Sequence, residues 1–364
     1  MSKLFSPLRL RDLEIRNRIW VSPMCQYSAI NGVPDDWHFV HLGSRAVGGA
    51  GLVMAEATGV SPEGRISPAD TGIWNDEQAS AWAPIAGFIR KHGAVPAIQL
   101  AHAGRKASSA APWDGGKPLT RDQGGWETIA PSPQPFADGH PAPREMTAGD
   151  MDRLVTDFAA AAQRARGAGF EAVEVHAAHG YLLHEFLSPL SNERGDDCGG
   201  SLQNRMRFPL RVAAAVREAF PKELPVFVRI SATDWTDGGW DLPQSIEFAR
   251  ALKGVGVDLV DCSSGGNVPK AAIPAAPGYQ VPFAEAIRRE AQIATGAVGM
   301  IVEACQAEQL VAEERADAVL LARAFLDDPY WPLHAAETLE AEIAWPVQYG
   351  RVKTLPRTVS RTKD

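Results

Sequence analysis

Eight short apolar segments alternate with eight amphipathic segments along the chain, and this alternation limits the available folds more than any other feature. The apolar segments have the length and flanks of buried strands, and they span 19–24, 51–57, 94–100, 172–175, 225–231, 257–262, 297–301 and 317–322. The segments around them have apolar residues at helical spacing, and they span 35–47, 76–92, 147–167, 204–220, 242–254, 283–295, 303–315 and 329–343.

This order predicts a parallel sheet whose strands are joined by crossover helices. Eight such units favour a closed (β/α)8 TIM barrel. An open doubly wound sheet is the alternative. However, no strand is followed by the GxGxxG turn of the dinucleotide-binding versions of that fold.

The regular alternation breaks once, between residues 105 and 146, where prolines and glycines are frequent and no period is sustained. A loop of this length in a compact domain is usually a lid or a small subdomain. We therefore expect residues 1–364 to form one barrel domain in which residues 105–146 are a lid after the third barrel strand.

Charge and composition exclude several classes of protein. The chain has 36 Lys and Arg against 44 Asp and Glu, a net charge of −8, which argues against a nucleic-acid partner. No apolar stretch approaches the roughly 18 residues of a membrane span, and the N-terminus lacks a signal peptide. Four scattered cysteines without a CxxC pair argue against disulfides, metal knuckles and iron–sulfur clusters, and they favour the cytoplasm.

In a barrel of this kind the active site lies at the carboxyl ends of the strands. Polar and titratable residues follow almost every predicted strand at this end: Ser22 to Tyr27, Glu56 to Thr58, Gln99 to Arg105, His176 to Tyr181, Arg229, Ser263 to Gly266, Gly299 with Met300, and Ala322 with Arg323. Their joint placement at one predicted rim indicates a site there.

His176 and His179 are the most informative pair, because they leave the fourth strand three residues apart. Two imidazole N–H groups aimed at one oxygen can stabilise the negative charge that develops on a carbonyl. A structural pair or a metal site is the alternative, although no HExxH motif accompanies them. Tyr181 is placed to donate a proton, or is an amphipathic core residue.

Single residues at the other strand ends can be interpreted as functional or as purely structural. Cys25 is a site thiol or a small buried hydrophobe. Arg229 lies in an apolar strand and needs an anion, either a ligand or a salt bridge to Glu56 or Glu174. Gly299, Ala322 and Arg323 lie at the ends of the seventh and eighth strands, where (β/α)8 enzymes bind phosphate.

In this order, the motifs resemble the Old Yellow Enzyme family of FMN-dependent ene-reductases over nearly the whole chain. The resemblance is carried by Asn17-Arg-Ile, Pro23-Met24-Cys25-Gln26-Tyr27, Gln99-Leu-Ala-His-Ala-Gly-Arg105, His176-Ala-Ala-His-Gly-Tyr181, Ser201-Leu-Gln-Asn-Arg205 and Asp327-Asp-Pro-Tyr-Trp331. The Cys25 and Tyr27 pair is similar to the thermophilic-like, or class III, subgroup that includes bacterial xenobiotic reductases.

The resemblance implies a role for each matching residue. It implies that tight, non-covalent FMN is bound by Ser22, Pro23, Met24, Cys25, Ala57, Gln99, Arg229, Met300, Ala322 and Arg323. It implies that His176, His179 and Tyr27 bind the substrate, that Tyr181 donates the proton, and that Cys25 tunes the flavin.

The resemblance also implies an activity and an assembly. NADPH or NADH reduces FMN, and an enone, a maleimide or a nitro compound then accepts the hydride. The protein is expected to be a homodimer or homotetramer in which Arg351, within the tail 344–364, reaches into the neighbouring subunit's site. The alternative is a non-catalytic flavin-binding sensor. A 2,4-dienoyl-CoA-reductase-like enzyme and a metal-dependent hydrolase are rival enzyme classes.

Three departures from the family pattern fall near the expected flavin site. Val302-Glu303-Ala304-Cys305 replaces a Ser/Thr-Gly stretch, Ala322 replaces a glycine, and Cys198 replaces a tyrosine. Glu303 would oppose phosphate binding if it pointed inward, and Ala322 would be strained if its position required a positive φ. We expect FMN binding to persist.

Overall fold

The computed structural model, which describes residues 2–354, has a closed barrel of eight parallel strands, so the predicted (β/α)8 fold is confirmed. The strands are β1 Leu8–Leu10, β2 Leu13–Ile15, β3 Ile19–Val21, β4 Leu52–Gly59, β5 Val95–Ala101, β6 Ile129–Ala130, β7 Arg144–Glu145, β8 Ala172–Ala177, β9 Val226–Ser231, β10 Leu259–Ser263, β11 Ala294–Ala297 and β12 Ala318–Leu321. The barrel order is β3-β4-β5-β8-β9-β10-β11-β12, and β12 pairs with β3 to close it.

Helices follow the barrel strands and cover their outer faces. They are α1 Asp36–Val47, α2 Asp76–Lys91, α3 Ala148–Gly167, α4 Leu182–Leu187, α5 Leu202–Ala219, α6 Leu242–Gly254, α7 Val281–Ala291, α8 Ala304–Ala312, α9 Arg323–Asp327 and α10 Trp331–Thr338. Capping side chains fix where several begin. Asp35, Asn75 and Thr147 each accept a backbone N–H in the first turn of their helix, which satisfies a donor the helix leaves free.

The two ends of the barrel differ in what they bury. At the amino ends of the strands, Trp20 stacks on Phe227 with ring centroids 5.6 Å apart. Leu10 and Ile15 of the β1–β2 hairpin belong to the same cluster, so the hairpin closes this end. We call this the bottom cluster, and its buried members are Leu10, Ile15, Trp20, Leu52, Met54, Val95, Ala97, Ala172, Phe227, Leu259, Val298, Ala318 and Leu320.

The predicted position of the seventh strand, 297–301, is wrong, because β11 occupies Ala294–Ala297. The preceding helix ends at Ala291, where Gln292 adopts the left-handed φ of 53°, so the chain turns earlier than its apolar pattern indicates. Gly299 and Met300 have φ values of 121° and 52°, which are incompatible with a strand. The apolar run after Ala297 is therefore a loop at the carboxyl end of the barrel.

Short elements were missed for a common reason, their length. The hairpin strands β1 and β2 have three residues each, and α4 and α9 have six and five. Such elements are too short to show a period in the sequence. Among residues 2–354, no helix is long and apolar enough to cross a membrane.

Candidate active site

The turn between β8 and α4 places three of the predicted site residues together. The ring of His176 lies 5.1 Å from that of His179 and 5.0 Å from that of Tyr181, measured between centroids, and both pairs are perpendicular at 87°. Lys106 adds an ammonium group 5.1 Å from the centre of the Tyr181 ring. This turn is therefore a compact group of two imidazoles, a phenol and a cation.

Both imidazoles are neutral in this environment. Burial is the main reason that the pKa of each ring lies well below its usual value, and Arg229 lowers the pKa of both further. The Nδ1 atom of His176 accepts the Ala178 N–H at 3.2 Å, which leaves the hydrogen on its Nε2 atom. His179 has its Nε2 atom 2.7 Å from the Ser263 hydroxyl. Each ring thus has one nitrogen engaged by the protein.

Tyr181 retains its proton. Burial raises the pKa of its phenol well above the usual value, and the nearby Cys25 and Tyr27 raise it further. The ammonium of Lys106 donates to the carbonyl oxygens of His179 at 2.8 Å and Gly266 at 3.0 Å. Lys106 therefore fixes the backbone just before Tyr181.

The loop after β3 carries Cys25 and Tyr27, and the side chain of Glu56 fixes its backbone by a hydrogen bond. Glu56 accepts the Gln26 N–H at 2.8 Å and lies 3.1 Å from the Nε2 atom of His38. Burial, together with the carboxylates of Asp70 and Glu56, raises the pKa of the Cys25 thiol well above its usual value. Tyr27 lies edge-on to Trp113, with centroids 5.6 Å apart, so this loop contacts the segment 105–146.

Arg229 has an acidic partner, but neither of the two considered from the sequence. Its Nε atom lies 2.9 Å from Asp261 Oδ2, and its Nη2 atom donates to Ser22 Oγ at 2.9 Å. Arg229 and Asp261 are neighbours in the register of β9 and β10, which explains the pairing. The expected ion pair with Glu56 or Glu174 is therefore replaced by one with Asp261.

Gln99 and Glu174 form a second buried pair, on β5 and β8. Gln99 donates from Nε2 to Glu174 Oε1 at 2.7 Å. Burial, reinforced by the negative charge of Asp261, raises the pKa of Glu174 to about 8. Glu174 therefore holds a proton at neutral pH. The buried group then consists of one ion pair, Arg229 with Asp261, and two neutral side chains that hydrogen-bond each other, Gln99 and Glu174.

A cavity of about 670 Å³ opens at the carboxyl ends of β3, β9, β10, β11 and β12. Seven of the predicted site residues line it: Ser22, Pro23, His179, Arg229, Met300, Ala322 and Arg323. The other eight are not among its lining residues: Met24, Cys25, Tyr27, Ala57, Gln99, His176, Tyr181 and Arg351. Glu303, Asp327 and Asp328 also line the cavity, so three carboxylates share it with the two arginines.

The structure shows whether position 322 needs a positive φ and whether Glu303 faces the cavity, the two questions raised by these departures from the family pattern. Ala322 has a φ of −108°, so this position does not require glycine. Glu303 immediately precedes α8 and lines the cavity, so its carboxylate is not directed wholly to solvent. Cys198 is buried, and its carbonyl accepts the Asn192 side-chain amide at 2.8 Å.

Arg351 lies in a 3₁₀ helix, Val347–Thr354, near the end of the described chain and is exposed. The rest of the predicted tail, residues 355–364, lies outside the described residues. Among residues 2–354 there is no group of three or more His, Cys, Asp or Glu side chains that could hold a metal ion.

Sequence reasoning missed the groups that hold the predicted residues. Asp261 and Lys106 contact Arg229 and the Tyr181 turn, yet neither belongs to the predicted set. Ser263, which contacts His179, was placed at the rim but given no role. A signal for Asp261 was available, because an acid in one buried strand and an arginine in its neighbour call for pairing. No comparable pattern identifies Ser263, since its role depends on the orientation of the His179 ring.

Comparison with known proteins adds information that geometry alone lacks. Residues 3–342 match the family described as NADH:flavin oxidoreductase / NADH oxidase. The chain is 48% identical over 350 residues to an NADPH dehydrogenase of Geobacillus thermodenitrificans (strain NG80-2), covering 96% of this chain and 98% of that protein.

Two solved structures share the fold along nearly their whole lengths. Morphinone reductase in complex with tetrahydroNAD has a TM-score of 0.76 at 30% identity, covering 95% of this chain and 93% of that one. An Old Yellow Enzyme homologue from Zymomonas mobilis has a TM-score of 0.77 at 27% identity, covering 94% of each chain.

Proposed function

Because the chain belongs to the NADH:flavin oxidoreductase / NADH oxidase family and is an FMN-dependent NAD(P)H oxidoreductase, we propose that it reduces activated alkenes. The resemblance to the Old Yellow Enzyme family is confirmed by the solved relatives. The observation that carries the proposal is the grouping of two neutral imidazoles with a protonated phenol at one turn.

The residues around the cavity are chemically suited to FMN. The volume of the cavity, about 670 Å³, is in the range of small-molecule sites. Arg323 and the backbone near Met300 and Ala322 would hold the phosphate, while Arg229 and Gln99 would hydrogen-bond the ring. Ser22 to Cys25 and Ala57 would line the ring. When bound, FMN supplies the hydride transfer from NADPH or NADH to the β-carbon of the acceptor.

His176 and His179 bind the carbonyl or nitro oxygen of the acceptor. His176 accepts through Nδ1 and keeps its Nε2 hydrogen for donation, whereas His179 has an Nδ1 hydrogen to donate in the tautomer whose Nε2 accepts the Ser263 hydroxyl. The donated hydrogen bonds strengthen as negative charge develops on the oxygen, because the site is buried and its local dielectric is low. This arrangement polarises the alkene so that its β-carbon becomes electrophilic.

Tyr181 donates the proton to the α-carbon. Its raised pKa keeps the phenol protonated at any working pH, so the donor is available in every turnover. Tyr27 and Cys25 border the bound acceptor and set its fit. The pKa of the Cys25 thiol is also raised, so a neutral thiol rather than a thiolate lies beside the ring.

The segment 105–146 covers the site from one side as a lid. Trp113 lies against Tyr27, and Lys106, itself part of the lid, donates to the His179 carbonyl oxygen at 2.8 Å. These contacts join the lid to both substrate-binding loops. Its aromatic side chains are placed to contact the nicotinamide donor as well as the acceptor.

The protein assembles as a homodimer or homotetramer in which Arg351 borders the neighbouring subunit's site. The exposure of Arg351 and of Val347 and Val352 beside it supports an interface at this helix. Arg351→Ala should raise the KM for enones severalfold in an oligomer of unchanged size, measured by steady-state kinetics and light scattering. The shared site would be excluded if the wild-type protein were a monomer and Arg351→Ala had the same KM as the wild type.

The four free cysteines support a cytoplasmic location.

Anaerobic oxidation of NADPH in the presence of 2-cyclohexenone tests the proposed activity. The purified protein should be yellow, and cyclohexanone should form in equal amount to the NADPH consumed. A protein that remains colourless after addition of FMN would contradict the cofactor assignment. Enones, maleimides and nitro compounds should be assayed with both NADPH and NADH.

The alternative is a flavin-binding sensor without turnover. The observation in its favour is the presence of Glu303, Asp327 and Asp328 at the same cavity as Arg323, because carboxylates weaken the binding of a phosphate. A sensor would bind FMN and be reduced by NADPH but would convert none of the three acceptor classes.

A further inference from the structure

We propose that His184 and Asp234 are positioning residues that hold the turn between His179 and Tyr181 through one fixed tautomer of His184. This proposal rests on the proposed function, in which His179 and Tyr181 act on the substrate. Both side chains are fully buried, at 0% exposure, and neither belongs to the predicted site. We call residues 178–181 the donor turn.

The hydrogen-bond partners of His184 define its tautomer. Its Nδ1 atom accepts the Gly180 N–H at 2.9 Å, so Nδ1 carries no hydrogen. The ring is therefore neutral, and its hydrogen is on Nε2. That atom lies 3.1 Å from Asp234 Oδ1, so an acceptor for this tautomer is within reach, although the N–H is not aligned on it as in a regular hydrogen bond.

Asp234 is itself fixed by donors to its other oxygen. Oδ2 accepts from Ser188 Oγ at 2.5 Å and from the Trp240 N–H at 2.9 Å. Burial alone would raise the pKa of Asp234, but hydrogen bonding to His184, Ser188 and the Trp240 amide opposes burial, and the pKa lies below its usual value. The carboxylate stays ionised and accepts only, so it cannot stabilise the other tautomer of His184.

The donor turn needs such support because its backbone is unusual. His179 and Gly180 are consecutive residues with φ values of 61° and 70°. A left-handed conformation at a non-glycine residue is unfavourable by about 1–2 kcal/mol, so neighbouring contacts must maintain it. A Cβ atom on Gly180 would lie 2.2 Å from the Gly266 carbonyl oxygen, so the turn is also packed closely against the next loop.

Gly180 lies between the two residues that the proposed reaction uses. Its N–H has His184 as acceptor, while the flanking His179 N–H is accepted by Ser231 Oγ at 2.9 Å. Loss of the His184 acceptor would leave a buried donor without a partner and allow the peptide to rotate. Such a rotation would move the imidazole of His179 and the phenol of Tyr181 together.

Asp234→Asn tests the tautomer directly. Ser188 and the Trp240 amide require an acceptor, so the new amide oxygen should face them and its NH₂ should face His184 Nε2. Two donors cannot face each other, so the imidazole hydrogen should move to Nδ1 and oppose the Gly180 N–H. Replacement of Asp by Asn beside a histidine produces the wrong tautomer in the same way in serine proteases.

Two measurements on the FMN-loaded protein read out this change. Nitrogen NMR of ¹⁵N-histidine-labelled protein should show the His184 hydrogen on Nε2 in the wild type and on Nδ1 in Asp234→Asn. The kcat for 2-cyclohexenone should fall about 10- to 100-fold, as expected for a misplaced catalytic group, with FMN content unchanged. Ser188→Ala is the matched control, because it removes a bond to the same carboxylate without altering the tautomer, and its kcat should stay near wild type.

Rescue separates positioning from simple damage. In the double variant Asp234→Asn with His184→Asn, the amide oxygen at position 184 can accept the Gly180 N–H without any tautomer. Its kcat should recover most of the loss. If Asp234→Asn does not fold, His184→Asn and His184→Leu provide the same comparison, because only the first retains an acceptor.

Two results in Asp234→Asn would overturn the proposal: a hydrogen that stays on His184 Nε2, or a hydrogen that moves to Nδ1 without any change in kcat. Equal kcat values in His184→Asn and His184→Leu would overturn it as well. The NMR result does not depend on turnover. If the wild-type protein reduces no alkene while the tautomer follows the pattern above, the proposed function fails and the fixed tautomer of His184 stands.

Discussion

The two ends of the barrel are built from the same eight strands but bury opposite kinds of side chain. The bottom cluster is apolar, with Trp20 stacked on Phe227 and closed by the hairpin carrying Leu10 and Ile15. The carboxyl end buries ionisable groups, among them Arg229 paired with Asp261. Apolar burial stabilises the fold, whereas buried charge is unfavourable unless it is paired. The bottom therefore contributes stability, and the carboxyl end contributes chemistry.

The difference also appears in protonation. At the carboxyl end burial shifts the pKa of His176 and His179 downward and that of Tyr181 and Glu174 upward. All four groups are therefore neutral near pH 7, although they are polar. Such shifts cluster at functional sites because neutral donors are useful where charge develops during a reaction. Mutations at the two ends should accordingly affect different quantities.

Tyr181→Phe should have the largest effect on activity. Loss of a general acid lowers rates by about 10²- to 10⁴-fold, so enone reduction should slow by that factor. Reduction of a quinone requires no protonation of carbon and should proceed at nearly the wild-type rate, which makes it an internal control. Stopped-flow measurement of both acceptors provides the ratio. Equal slowing of both would assign Tyr181 a structural rather than a proton-donating role.

His176→Ala together with His179→Ala should have the next largest effect. Loss of donors to a developing oxyanion lowers rates by about 10²- to 10³-fold, and phenols, which imitate the enolate, should bind correspondingly less tightly. Titration of the flavin absorbance with a phenol measures this binding. His334→Ala changes a histidine that is 57% exposed and should leave phenol binding unaltered. Unchanged phenol spectra in the double variant would refute the assignment.

Phe227→Ala examines the opposite end. Removal of a fully packed phenylalanine should lower the free energy of unfolding by about 3–5 kcal/mol, while the kcat of the folded fraction stays near wild type. Phe136→Ala, which truncates a partly exposed ring of the lid, should lower it much less. Denaturant unfolding and steady-state assays provide both quantities. A large fall in kcat with little loss of stability in Phe227→Ala would break the division between the two ends.

Glu174→Gln should have the smallest effect. The pKa of Glu174 is raised from 4.5 to about 8, so its stabilising contribution is full below about pH 4.5 and is lost as the pH rises through about 8. Glutamine keeps the hydrogen-bonding shape but does not titrate. The free energy of unfolding should therefore decline less between about pH 4.5 and 8 in the variant than in the wild type.

Glu171→Gln is the matched control for that experiment, because it makes the same change three residues earlier, just before β8, at a partly exposed carboxylate near Arg90. It should keep the wild-type pH dependence. A wild-type slope in Glu174→Gln would mean that Glu174 is already ionised in the folded protein, and that the buried group next to Arg229 carries two negative charges.

Periodicity and residue type were sufficient to predict the barrel and the rim of candidate residues. The seventh strand was misplaced because the apolar run after Ala297 is a buried loop, and hydrophobicity does not distinguish a loop lining a cavity from a strand. The partners that orient the site were harder to predict. Asp234 and His184 are 50 positions apart, and their contact depends on how the loop after β9 meets α4.

The central claim is that the carboxyl end delivers a hydride to the β-carbon of a polarised alkene and a proton to its α-carbon. The most direct measurement is anaerobic reduction of 2-cyclohexenone with NADPH deuterated at the transferable position, followed by mass spectrometry and NMR of the product. The account predicts cyclohexanone with deuterium at the former β-carbon and a solvent hydrogen at the α-carbon. Consumption of NADPH without a saturated ketone, or deuterium at the α-carbon, would contradict it.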